Sequence, residues 1–370
     1  MWLSSAMARE DMSAELFVRG WGVCPGTVFS GEILGLSHTF SLDGHAMEVR
    51  LPSAEFEEGS HDPSGPSASY VRFRSGYVKQ DYRKSFYSTD RIAVEVGVQE
   101  MVRIPESLLE VDAVQKSPEV YSSHPHLEKI AKEYDGIAAS GWAHWIKIAR
   151  WATNQPLIGI PDLTIDGSRT LQMPRLRERQ SGFAVWSSVS TVTLQESSHI
   201  DLKRWEHIGA VLGSSATPPV WFDYLVEAEQ RLYNRDFSGC VLSAAIACET
   251  LARACYFHLL GTPIHATAAE FVDRTAAQAI IGRWKKLTGL DQDKKVHKVF
   301  DIRNRLVHSG SADVIDKVAA REALSATRRF LDSGDRWWFD QKGRANPRAE
   351  AAGWPKATDA AKLELDLTAD

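Results

Sequence analysis

Between Pro219 and about Leu331 apolar residues recur every three or four positions, in successive runs separated by short polar joints. The first run puts Trp221, Tyr224, Leu225, Ala228 and Leu232 on one face. After a break at Asn234-Arg235-Asp236, a second carries Phe237, Val241, Ala244, Ala245, Cys248, Leu251, Ala252, Cys255 and Leu259. Shorter runs cover 267–274 and 276–287, and a run from 292 to 309 stops at Gly310. A last one carries Ile315, Ala319, Ala323, Ala326 and Phe330. This is the period of amphipathic α-helices. Consecutive helices of this kind with short joints bury their stripes by closing into a bundle.

Upstream the pattern changes. Segment 213–219 is rich in Ser and ends in Pro218-Pro219, which marks a boundary. Before it, period-two or β-rich stretches lie at 15–23, 69–77, 92–104 and 183–194. Residues 53–69, rich in Ser, Gly, Pro and Glu, predict an exposed loop. An inserted helix is expected over 126–154, with Trp142, Trp145, Ile146, Ile148, Ala149 and Trp151 as its apolar residues, and its tryptophans fit a core better than a base-stacking platform. Beyond Ser333 the periodicity fades, apart from Trp337, Trp338 and Phe339, which can dock back. The expected architecture is an α+β domain over 1–212, mainly antiparallel β with inserted helices. A linker at 213–219, an all-α helical domain over 220–332 and a polar tail over 333–370 follow.

Composition narrows the partners. The chain has 370 residues, 44% hydrophobic and 25% charged, with a formal net charge of −5. That balance argues against a general nucleic-acid coat protein and confines any RNA contact to a local patch. Four cysteines, Cys24, Cys240, Cys248 and Cys255, show no zinc-ligand spacing, and Cys248 and Cys255 fall on an apolar helix face. A reducing cytoplasm fits this usage. The apolar stretch after Met1 is too short for a signal peptide, and no run of membrane-spanning length is expected. No phosphate loop, dinucleotide fingerprint or paired-histidine metalloprotease motif is present. His124, His126 and His144 lack carboxylates or cysteines at metal-binding spacing.

The most specific segment runs from Val299 to Gly310. On a helical wheel at about 100° per residue, Val296, Val307, Val299, Leu306 and Ile302 form an arc around Phe300, and Arg303 lands inside it. A guanidinium in an apolar stripe needs a partner or a purpose, because an unpaired buried charge costs several kcal/mol. Asn304 and His308, four residues apart, stack along one edge of the stripe. Two explanations stand at this level. Arg303 pairs with a buried carboxylate, Glu249 by pattern, and His308 merely closes the helix. Alternatively, the three residues form a site.

A helix of the type Leu242-Ser-Ala-Ala-Ile-Ala-Cys-Glu-Thr-Leu-Ala-Arg253, followed by Ile302-Arg-Asn-Arg-Leu-Val-His308, resembles the HEPN superfamily over roughly 215–335. The family's signature is an Arg, four to six residues and a His, often with Asn directly after the Arg. The resemblance implies a homodimer in which the two motif helices face each other across a two-fold axis. It implies a metal-independent endoribonuclease acting on single-stranded RNA, without a cofactor. Arg303 would stabilise transition-state charge, His308 would act as general acid or base, and Asn304 would orient the histidine or bind phosphate. The RNA's own 2′-OH would attack, which excludes DNA. Lys294, Lys295, Lys298 and Arg305 crowd the approach and are expected to bind RNA, with Arg283, Lys285 and Lys286 nearby. Defence or toxin roles go with such domains, and the N-terminal domain would sense a trigger or inhibitor or present RNA. The other function the resemblance allows is a non-catalytic dimerisation module beside a ligand-binding domain. No membrane partner is implied.

Overall fold

The computed structural model describes residues 11–14, 16–24, 27–52, 68–71, 86–89, 92–105, 125–159, 175–177, 184–187, 198–214, 216–261, 265–291, 293–308, 315–344 and 346–351. The chain forms two compact units, one of residues 1–24 with 28–147, the other of 25–27 with 148–370. Strands β1 (Asp11–Ala14), β2 (Phe17–Gly22), β3 (Thr27–Ser30), β4 (Ser37–Leu42), β5 (His45–Arg50), β6 (Ala68–Val71), β7 (Phe86–Thr89), β8 (Ile92–Gly97) and β9 (Val102–Pro105) precede helix α1 (Pro125–Thr153).

In the first unit β2, β8, β5 and β4 make a four-stranded antiparallel sheet in that order. β4 and β5 join through Asp43-Gly44, both at positive φ, the two-residue turn whose twist matches a hairpin. Phe40, Met47, Val49, Val94 and Val96 are buried. Two glycines allow α1 onto this sheet: a Cβ at Gly22 would sit 2.5 Å from Trp142, and one at Gly141 would meet the Met47 sulfur. Trp145 is fully buried, and its indole N–H donates to Nδ1 of His38 at 3.0 Å. The expected β segment 92–104 is two strands, β8 and β9. The break between them is held by Gln99, whose amide groups bond to Tyr134 and to the Gly44 carbonyl. Strands β3 to β5 and their hairpin were not anticipated. Most of the predicted loop at 53–69, and the later parts of segments 69–77 and 183–194, lie outside the described residues.

The second unit begins inside α1 and holds the short strands β10 (Arg175–Arg177), β11 (Ala184–Ser187) and β12 (Ser198–Ile200). Then come α2 (Leu202–Gly213), α3 (Val220–Tyr233), α4 (Phe237–Leu260), α5 (Ala266–Arg274), α6 (Ala277–Ile281), α7 (Trp284–Thr288), α8 (Lys295–His308), α9 (Lys317–Gln341) and α10 (Pro347–Ala351). The fold is thus an antiparallel β-sheet unit with a long helix, followed by an all-α bundle. Asp201, Asp236 and Asp316 cap α2, α4 and α9 by accepting from backbone N–H groups in the first turn. The expected helix over 276–287 is two short ones, α6 and α7, divided at Gly282.

Helix α4 is the axis of the bundle, packed by α3, α9 and α8. It is 24 residues long with a window of mean hydropathy 1.4, so a run long and apolar enough to cross a membrane does exist, contrary to the sequence expectation. Here Val241, Ala244, Ala245, Cys248 and Leu251 are buried among the other helices. Burial pushes the Cys240 and Cys248 thiols up to about 12, which keeps them protonated core groups. The expected linker 213–219 falls within the second unit, because α2 buries Trp205, Ile208, Val211 and Leu212 and His207 bonds to the Pro347 carbonyl of α10. The expected polar tail from 333 begins inside α9, which runs on to Gln341. Asp335 explains the continuation. Fully buried, it accepts from the Trp221 indole and pairs with the buried Arg348 at 3.0 Å. Burial raises the Asp335 carboxyl to about 7, and the hydrogen bond from the Trp221 indole only partly opposes that rise.

Candidate active site

Helix α8 is anchored at its start by an acidic side chain. Asp293 accepts from the backbone N–H of Lys295 at 2.8 Å and pairs with Arg329 of α9 at 2.6 Å. The Lys295 N–H and then Arg329 hold the Asp293 carboxyl below its ordinary range, against slight burial. From there Val296, Val299 and Phe300 are buried, so the first two turns are fixed to the bundle. In the last two turns the cover thins. Ile302 and Leu306 are only half-buried, and Val307, expected beside Phe300 in the apolar arc, is 53% exposed. The stripe thus continues past the edge of what the single chain covers.

Arg303 lies half-buried where that cover ends. The predicted alternative partner, Glu249, is taken by Arg253 at 2.6 Å, one turn along α4. Arg253 is in turn fixed by the carbonyls of Val272 and Thr275. Among the described residues no carboxylate pairs with Arg303. Its Nη1 instead donates to Oδ1 of Asn304 at 3.0 Å. Asn304 Nδ2 donates to Oε1 of Gln278 at 3.4 Å, and Gln278 Nε2 donates to Oδ1 of Asp301 at 2.8 Å. Asn304 is thus hydrogen-bonded to Arg303 on one side and to Gln278 on the other. Each end of its amide makes one of the two hydrogen bonds open to it.

His308 is exposed at the last position of α8, five residues and about 7.5 Å of helix beyond Arg303. Both residues lie in the last two turns of α8. Lys294, Lys295, Lys298 and Arg305 are exposed, and among the described residues the three lysines form no salt bridge. Lys285 is neutralised by Asp291 at 2.6 Å. Gln278 was missed from sequence, because a lone amide in a short helix, far from the motif in the chain, carries no pattern. The histidines weighed for a metal do not converge: His126 and His144 sit on one helix, about 27 Å apart along its axis, and His124 lies outside the described residues. No family model, curated protein or solved structure matches the chain.

Proposed function

We propose that the helical unit is a HEPN-type endoribonuclease site that cleaves single-stranded RNA without a metal and is completed by a second copy of the chain. The observation that carries this reading is Arg303: a half-buried guanidinium with no carboxylate partner among the described residues, held by an amide, at the end of an apolar stripe that surfaces beside His308. A paired structural arginine would have Glu249, which Arg253 occupies. The exposed Val307 on the same stripe suits a facing helix from a second copy.

In the proposed reaction the 2′-oxygen attacks the adjacent phosphorus while a neutral imidazole takes the 2′-OH proton. The 5′-oxygen leaves with a proton from an imidazolium, giving a 2′,3′-cyclic phosphate and a 5′-OH. Two copies supply two His308 side chains for these two transfers, one as base and one as acid. Arg303 meets the charge that builds on the non-bridging oxygens. Lys294, Lys295, Lys298 and Arg305 would hold the flanking phosphates, so binding weakens with salt. The reading places the protein in the cytoplasm as a defence or toxin effector, with the N-terminal unit binding its trigger or inhibitor or presenting the RNA.

The test is direct. In EDTA the purified chain is expected to cut single-stranded RNA, leave the matching DNA intact and produce cyclic-phosphate ends. Arg303→Ala and His308→Ala are each expected to lower cleavage by about 10²–10⁴-fold. Cleavage unchanged in both variants removes the site. A folded protein that binds a partner and never cuts RNA is the dimerisation module instead.

A further inference from the structure

Arg303 and three polar groups beside it form a chain whose polarity is fixed from both ends. A guanidinium can only donate, and a carboxylate can only accept. Two amides lie between them: Arg303 Nη1 to Asn304 Oδ1, Asn304 Nδ2 to Gln278 Oε1, and Gln278 Nε2 to Asp301 Oδ1. With Asp301 accepting, Gln278 must turn its NH2 outward and its oxygen toward Asn304. With Arg303 donating, Asn304 must turn its oxygen inward and its NH2 toward Gln278. Each requirement is met by the other, so neither amide can flip without breaking two bonds.

Asp301, Arg303 and Asn304 all belong to α8, whereas Gln278 comes from α6. The relay therefore ties the half of α8 that carries the candidate site to a neighbouring helix, at the level where apolar cover gives out. It also takes up one guanidinium nitrogen and leaves the others for a ligand. We infer that Gln278 is a positioning residue: through Asn304 it sets the orientation of the Arg303 guanidinium toward the scissile phosphate. This rests on the ribonuclease reading for its kinetic consequence and on the hydrogen-bond geometry alone for its structural one.

A group that only aligns the charge-stabilising arginine acts in the transition state. Gln278→Ala is expected to lower kcat by about 10–100-fold while KM changes little. Gln278→Met, similar in length but unable to hydrogen-bond, is expected to match it, which separates the effect from lost packing. Gln278→Glu sets two carboxylates against each other and should be at least as impaired. Adding Asp301→Asn to Gln278→Glu restores a donor facing an acceptor at each step and keeps the total charge, so most of the kcat should return. A residue that merely packs would give no such rescue. Arg303 side-chain resonances are followed by NMR in the full chain alongside the kinetics. They are expected to shift and broaden in Gln278→Ala and Gln278→Met and to recover in the double variant. Wild-type kcat in both Gln278→Ala and Gln278→Met overturns the positioning role. If the wild-type chain does not cut RNA, the ribonuclease reading has failed and the resonances decide the relay alone: unchanged spectra overturn it, shifted spectra with recovery sustain it.

Discussion

His199 sits with its side chain almost wholly buried, 2% exposed, while its backbone N–H and C=O both bond to the Gln155 amide at 2.8 Å. Burial, then the nearby Arg204 guanidinium, push its pKa from 6.5 down to about 4, and Asp201, 3.7 Å from Nε2, only partly resists. The sign of the consequence follows. In the unfolded chain the imidazole takes a proton as pH drops through about 6.5, whereas in the folded chain it stays neutral until about 4. Between those values the unfolded state holds more protons, so stability is full above 6.5 and falls as pH falls toward 4, by up to about 3 kcal/mol. Urea titrations from pH 7.5 to 4 are expected to show that slope in the wild type, and His199→Gln should flatten it. An equal slope in both would assign the acid sensitivity to other groups. At this scale Arg303 was legible, because a charge inside an apolar stripe is visible on a helical wheel. Its orientation was not, since that depends on Gln278, which only the folded chain brings near.

Helices pack closely where a residue lacks a side chain, and Gly334 is such a place between α9 and α4. A Cβ there would lie 2.3 Å from Cδ2 and 3.1 Å from Cγ of Leu251, which is itself fully buried. In an open helix Gly→Ala gains about 1 kcal/mol. Here the clash with a core leucine outweighs that gain, and Gly334→Ala is expected to destabilise the bundle by about 1–3 kcal/mol. Combining it with Leu251→Ala should cost less than the sum of the two single changes, as chemical denaturation can measure. The same element shows where pattern reading stops. Helices α3, α4, α8 and the first half of α9 were visible because their stripes are long and regular. The end of α9 was not, because Gly334, Asp335 and Trp338 interrupt its stripe, and the reason they are helical lies in partners remote in sequence. Asp335 meets Trp221, while Trp338 stacks edge-on against Trp221 and under Lys342. In the first unit the Asp43-Gly44 turn was a readable hairpin signal between alternating residues that sequence reading passed over. Helix α2 was missed because its Trp205, Ile208, Val211 and Leu212 stripe is one short run beside a Ser- and Pro-rich joint.

A site made by two copies makes a demand on the whole molecule that a site within one copy does not. Arg303→Ala chains keep His308, and His308→Ala chains keep Arg303, so homodimers of either lack one component entirely. A mixed dimer would hold one guanidinium and one imidazole, contributed from opposite sides. If the two motif helices face each other, co-refolding the two inactive variants should raise RNA cleavage at least about tenfold above either alone, though not to wild type, because one of the two proton-transfer groups is missing. If each copy works by itself, no chain in the mixture has both residues and no activity returns. Light scattering at micromolar concentration must also report a dimer, since a monomer leaves the exposed end of α8 without a facing helix. Recovery together with a dimer would make Val307, apolar and half-exposed in one copy, part of the surface that brings the two Arg303 side chains together. Val307→Glu should then break the dimer and abolish cleavage while leaving the melting of the single chain nearly unchanged, because the substitution replaces an exposed side chain. That triple outcome cannot come from a site confined to one subunit.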